Sequence, residues 1–95
     1  DSGALTVLLQ DQQPGLQVLR GDRWHLIPPR DDALLVNIGD IVQVWSNDRY
    51  RAPLHRVLAH ASLPRYSAPY FFNPSYTTVY APLSGVCDAA HPPRY

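Results

Sequence analysis

Ninety-five residues allow at most one small domain, one that buries a modest share of its surface. The formal net charge is zero, so no broad electrostatic attraction to nucleic acid or to an acidic membrane is expected. An apolar fraction of 45%, with two Trp, six Tyr and two Phe, argues for a globular core rather than disorder.

Leu5-Thr6-Val7-Leu8-Leu9-Gln10 is rich in strand formers and ends at Asp11, with Pro14-Gly15 marking a turn. Leu16-Gln17-Val18-Leu19 alternates apolar and polar, Gly21-Asp22 turns the chain, and Trp24-His25-Leu26-Ile27 returns as the second arm of a hairpin. Pro28-Pro29 closes it, because neither proline can donate a ladder hydrogen bond. Ala33 to Ile38 is the most apolar run and reads as a central strand buried on both faces. In Ile41-Val42-Gln43-Val44-Trp45 the apolar positions fall at i, i+1, i+3 and i+4. That spacing predicts one or two turns of helix, with Asp40 as N-cap and an end near Ser46-Asn47-Asp48.

Two further strands are expected over Leu54–Leu58 and Tyr66–Phe72, and Pro69 should place the second at an edge or a bulge. Residues 75–95, rich in Pro, Ala and Gly towards their end, read as irregular chain. Six or so strands at short spacing suggest an all-β sandwich or jelly roll with one short helix, leaving a sheet edge unpaired.

All eight cations are Arg and all eight anions are Asp, a bias that reads as codon usage and leaves few good surface helix formers. Cys87 is the single cysteine, which excludes a disulfide framework and a cysteine-based zinc site; it reads as an inert thiol. No apolar run approaches the roughly 20 residues of a membrane span. No signal peptide is visible, and the expected location is cytoplasmic.

The residues that bear chemistry are Asp1, His55 and the triplet Arg65-Tyr66-Ser67. A carboxylate and an imidazole are two members of the two-His, one-carboxylate set that holds non-heme iron and leaves open positions for substrates. Arg65 and Ser67 alternate on one strand and so share a face. A guanidinium fork beside a hydroxyl fits a carboxylate, since the fork engages both oxygens. Taken singly, each residue has a plainer reading: an exposed terminal carboxylate, a satisfied strand histidine, a surface ion pair of little energetic weight. Their joint pattern reverses those odds. His25, His60 and His91 lack a comparable setting and read as surface residues.

Asp1 to Asp11, Gly15 to Val18, Val36 to Asp40, Trp45 to Asn47, His55 to Val57 and Arg65 to Phe71 together resemble the isopenicillin N synthase-like, 2-oxoglutarate/Fe(II)-dependent dioxygenases. The blocks keep that family's order and approximate spacing over residues 1–74. The resemblance implies a double-stranded β-helix, a cupin-like jelly roll, of which residues 1–95 form one fragment incomplete at both ends. It implies Fe(II), with Asp1 and His55 as metal ligands and a further histidine two residues before Asp1. It implies 2-oxoglutarate gripped by Arg65 and Ser67, O2 as co-reactant and ascorbate as an accessory. The implied reaction is hydroxylation or desaturation of a small organic molecule with release of succinate and CO2. Tyr70 and Phe72 are candidates for the substrate face, though aromatic core packing is the plainer reading of each. The 95 residues alone, one ligand short, are expected to be inactive. Two alternatives stay open: an oxidase on the same scaffold that uses no 2-oxoglutarate, and a non-catalytic jelly-roll binding module.

Overall fold

The computed structural model describes residues 1–59 and 62–95. His60, expected at the surface, lies outside the described residues. Among these described residues, six strands and one α-helix follow in chain order: β1 (Leu5–Gln10), β2 (Leu16–Arg20), β3 (Arg23–Leu26), β4 (Leu35–Ile38), α1 (Asp40–Trp45), β5 (His55–Val57) and β6 (Ser67–Phe72). A single 3-10 turn, Ser84–Val86, interrupts the otherwise irregular tail.

The strands form two antiparallel three-stranded sheets, ordered β4-β1-β6 and β3-β2-β5. In the first, Thr6 lies opposite both Asn37 and Phe71, and Leu8 lies opposite Leu35 and Pro69. In the second, Val18 lies opposite His25 and His55, and Leu16 lies opposite Val57. Because side chains alternate across a strand, these registers put Thr6, Leu8, Leu35, Asn37, Pro69 and Phe71 on one sheet's inner face. They oppose Leu16, Val18, His55 and Val57 of the other sheet, and all ten line one cavity between the two.

The β2–β3 hairpin forms as predicted. Its two-residue turn uses Gly21 at φ +65, a left-handed conformation that a side chain disfavours. Pro69 sits on β6, an edge strand, where its missing N–H costs the sheet nothing. The strand expected to be central, Ala33 to Ile38, is instead the edge strand β4, and β1 holds the middle. Val36 on its outer face is 55% exposed, so β4 is not buried on both faces. The apolar run misled because the whole outer face of this sheet is apolar: Leu9, Tyr70 and Phe72 are also exposed there.

The helix falls where the spacing placed it, but its N-cap is Gly39 rather than Asp40, and no side chain caps it. The N-terminal amides find backbone partners instead. Gly39 N donates to Ala4 O (2.8 Å), Asp40 N to Asp1 O (2.7 Å) and Ile41 N to Gly3 O (3.1 Å). Asp40, now the first helical residue, keeps its carboxylate near the positive end of the helix. Ile41, Ala4 and Leu16 are the buried apolar residues among those described, a small core in line with the chain's length.

At its other end the helix stops at Asn47 and Asp48, both left-handed with φ 51 and 67. Asp48 N donates to Gln43 O at 3.0 Å, closing the last turn. The tail then packs on this cap. Asn47 Nδ2 donates to Pro92 O (3.1 Å) while its Oδ1 accepts from Arg94 N (2.9 Å). Arg94 Nη1 lies 3.2 Å from Asp48 Oδ2, and the Tyr95 hydroxyl donates to Asp48 Oδ1.

Candidate functional site

Asp1, on the segment leading into β1, and His55, on β5 of the other sheet, meet at the cavity. Asp1 Oδ1 is 3.4 Å from His55 Nε2. The other carboxylate oxygen, Oδ2, accepts from Thr6 Oγ1 at 2.7 Å and from Asn37 Nδ2 at 2.8 Å. Two donors on Oδ2 fix the plane of the carboxylate and turn Oδ1 towards the imidazole. The segment bearing Asp1 is tied down by the helix amides that donate to Asp1 O and Gly3 O. Gly39 makes that approach possible: a Cβ there would lie 2.1 Å from Gly3 O.

His55 begins β5, and its Nδ1 lies 3.2 Å from Pro53 O. A carbonyl oxygen only accepts, so Nδ1 is the donor in this contact and Nε2 is the ring nitrogen directed at Asp1. A histidine ligand to a metal is commonly oriented this way, by a hydrogen bond from its other nitrogen. Adjacent ligands about 2.1 Å from one cation at right angles are about 3 Å apart, so the 3.4 Å separation suits a shared divalent ion. Among the described residues no cluster of three or more His, Cys, Asp or Glu occurs, so these two donors make a partial site.

Arg65, two residues ahead of β6, and Ser67, its first residue, line the same cavity. Arg65 Nη2 donates to Gln10 Oε1 at 2.9 Å. Its Nε is buried with no hydrogen-bond partner among the described residues, a cost that an acceptor brought by a ligand would remove. The backbone between them is held by Asp11. Tyr66 N donates to Asp11 Oδ2 (2.7 Å), Gln13 N donates to Asp11 Oδ1 (2.9 Å), and Asp11 N donates to Tyr66 O (3.1 Å). The amides of Tyr66 and then Gln13, with a smaller contribution from the Arg65 charge, hold the Asp11 carboxyl below its ordinary range.

The cavity has a volume of about 160 Å³. Among the described residues, apart from Asp1, Thr6, Asn37, His55, Arg65 and Ser67, its walls are apolar, supplied by Leu8, Leu16, Val18, Leu35, Pro53, Val57, Pro69 and Phe71. Such a chamber has polar groups only where a charged ligand would need them.

The structure brings together Asp1, His55, Arg65 and Ser67. It separates Tyr70 and Phe72 from them. Those two alternate to the outer face of β6, and Phe71 lines the cavity in their place. The parity that joins Arg65 to Ser67 continues to Pro69 and Phe71, which already excludes positions 70 and 72. Sequence reasoning also missed Thr6, Asn37, Gln10 and Asp11. A signal for Asn37 existed: it is the one polar residue in the most apolar run. His25 is exposed on β3, and exposed His91 pairs with Asp88, its Nδ1 2.9 Å from Asp88 Oδ1. Cys87 is a free, half-buried thiol.

Residues 1–74 match the model of the 2OG-Fe(II) oxygenase superfamily. Gibberellin 2-beta-dioxygenase 6 of Oryza sativa subsp. japonica is 48% identical over 94 residues, covering 99% of this chain and 25% of the relative. The 1-aminocyclopropane-1-carboxylate oxidase homolog 11 of Arabidopsis thaliana is 43% identical over 98 residues, covering 100% of this chain and 27% of that protein. Among solved structures, JOX2 in complex with 2OG, Fe, and JA superposes with a TM-score of 0.94 at 38% identity, over 100% of this chain and 28% of that one. The chain thus spans about a quarter of the length of the curated relatives it matches. The mostly β fold with few helices agrees with the expected jelly-roll class.

Proposed function

This chain belongs to the 2OG-Fe(II) oxygenase superfamily, and on that premise we propose that it forms the iron- and cosubstrate-binding wall of an oxygenase acting on a small organic molecule. The reaction couples oxidative decarboxylation of 2-oxoglutarate, to succinate and CO2, to hydroxylation or desaturation of that molecule. The observation that carries this reading is the shared wall. The Asp1–His55 pair and the Arg65–Ser67 pair face one apolar-walled cavity.

Asp1 Oδ1 and His55 Nε2 are the atoms that would hold Fe(II). The family pattern places the remaining protein ligand, a histidine, two residues before Asp1. Iron, when bound, supplies the redox chemistry that activates O2. The chain's own residues bind, orient and exclude water. Thr6 and Asn37 hold Asp1 Oδ2 so that Oδ1 remains for the metal. Pro53 O, within hydrogen-bond reach of His55 Nδ1, orients the ring so that Nε2 is the atom offered to the metal. Arg65 and Ser67 take the remote carboxylate of 2-oxoglutarate, which sets the distance of its oxo-acid end from the metal. Leu8, Leu35, Val57 and Phe71 line the chamber with apolar surface.

The test is succinate release by the full-length protein, supplied with Fe(II), O2 and 2-oxoglutarate. Release that needs all three, disappears in His55→Ala and shows a raised KM for 2-oxoglutarate in Arg65→Ala is the expected result. Oxygen uptake that is indifferent to 2-oxoglutarate would overturn the reading and favour an oxidase on the same scaffold.

A further inference from the structure

We propose that Gln10 is a positioning residue for the cosubstrate: it orients the Arg65 guanidinium as an uncharged acceptor and sets no charge of its own against the ligand's carboxylate. The inference deepens, and rests on, the reading that Arg65 and Ser67 bind the remote carboxylate of 2-oxoglutarate.

Gln10 is the last residue of β1 and lies directly opposite Ser67 in register. Its Oε1 accepts from Arg65 Nη2 at 2.9 Å, across 55 positions of sequence. The contact is therefore made by the fold and not by chain proximity. The neighbouring carboxylate, Asp11, is occupied elsewhere. Both of its oxygens take backbone amides, those of Tyr66 and Gln13. The carboxylate thus holds the backbone of the Arg65-Tyr66-Ser67 triplet, while the neutral amide holds the guanidinium.

The stem of Arg65 is also confined. It crosses the β1–β2 turn at Gly15, where a Cβ would meet Arg65 Cδ at 3.0 Å and Nε at 3.3 Å. With the stem confined there and Nη2 held by Gln10, the buried Nε remains without a partner among the described residues.

The choice of amide over carboxylate has a chemical consequence. A glutamate at position 10 has the same length and accepts the same hydrogen bond. It would also form an ion pair with Arg65, stronger than the bond from the guanidinium to a neutral amide, and oppose an incoming carboxylate. Orientation by an uncharged group avoids that competition.

The experiment is equilibrium binding by calorimetry to the full-length protein, without O2 and with Mn(II) in place of Fe(II). The probes are 2-oxoglutarate and pyruvate, which shares the 2-oxo acid end and lacks the remote carboxylate. Gln10→Glu is expected to weaken 2-oxoglutarate about tenfold, from the charge pairing, and to leave pyruvate unchanged. Gln10→Ala, which loses orientation alone, is expected to weaken 2-oxoglutarate less, about threefold, again with pyruvate unchanged. Wild-type affinity in Gln10→Glu, or equal losses for both probes, would overturn the inference. Arg65→Ala separates this from failure of the underlying reading. Loss of 2-oxoglutarate binding there, with Gln10→Glu unaffected, would overturn the positioning role alone; unchanged binding in Arg65→Ala would overturn the anchor itself.

Discussion

Gly39→Ala should damage the metal site from a position that touches no ligand side chain. Gly39 has φ −95 and ψ 177, a conformation open to any residue, so the substitution carries no backbone strain of its own. The effect is steric. The added Cβ would lie 2.1 Å from Gly3 O, 2.7 Å from Gly3 C and 3.1 Å from Asp1 O. Bringing the shortest of these to 3.0 Å, the least that real Cβ atoms tolerate, requires a separation of about 0.9 Å between the helix start and the Asp1–Ala4 segment. Backbone on both sides means that no flexible side-chain end can yield instead. Three hydrogen bonds span this junction, from Gly39, Asp40 and Ile41 to Ala4, Asp1 and Gly3. At about 0.5–1.5 kcal/mol each, their weakening should cost about 2–4 kcal/mol of stability. Asp1 moves with its segment, so Fe(II) affinity should fall at least about tenfold. Urea unfolding and anaerobic metal titration of the full-length protein measure the two effects. Gly21→Ala is the control: nothing lies within 4 Å of its Cβ, and its φ of +65 should cost about 1 kcal/mol while metal affinity is retained. A Gly39→Ala protein with the wild-type urea midpoint and wild-type Fe(II) affinity would refute the reasoning.

Thr6→Val keeps the shape of the side chain and removes its hydrogen bond to Asp1 Oδ2. It should lower metal affinity about 10-fold or more in a chelator competition, with Asn37 still in place; undiminished affinity would mean that Asn37 alone orients the carboxylate. Asn47→Ala should cost about 2–3 kcal/mol, since Pro92 O and Arg94 N lose their partner and alanine tolerates φ 51 poorly. Faster hydrogen exchange at the Arg94 amide would report release of the tail, and unchanged protection would count against the docking role of Asn47. Asp11 sets a pH dependence. Its folded-state pKa lies below the ordinary 3.8, so its contribution is fully present above that value and is lost as pH falls through the lowered one. The difference in urea midpoint between wild type and Asp11→Asn should therefore be constant from pH 7 to 5 and shrink below about 3.8. A difference that persists unchanged into strong acid would show that the carboxylate charge is not what holds Tyr66 N.

Alternation was the most informative signal in this chain, and it was used unevenly. It placed Arg65 with Ser67 correctly, and the same count, carried four residues further, selects Phe71 over Tyr70 and Phe72. Strand positions were legible because turn residues bracket them: Gly21-Asp22 and Pro28-Pro29 delimit the hairpin arms. Strand order was not. Ala33 to Ile38 looked central on apolarity alone, yet the sheet's outer face is apolar throughout, so apolarity carried no information about the middle position. Asp40 had the chemistry of an N-cap, but backbone carbonyls of Asp1, Gly3 and Ala4 took that role, a contact over more than thirty residues that no local pattern encodes. Thr6, Asn37, Gln10 and Asp11 share this origin. Each acts on a site residue through a register or a turn, and the register exists only once the sheet is assembled.

Asp1 and His55 are proposed to hold the iron while Arg65 and Ser67 hold the far end of its cosubstrate. A crystal structure of the full-length protein grown without O2, with Mn(II) and 2-oxoglutarate, tests it most directly. One metal ion ligated by Asp1 Oδ1 and His55 Nε2 is expected, with the remote carboxylate of 2-oxoglutarate on the Arg65 guanidinium and the Ser67 hydroxyl. A metal bound away from Asp1 and His55, or a cosubstrate carboxylate seated away from Arg65, would contradict it.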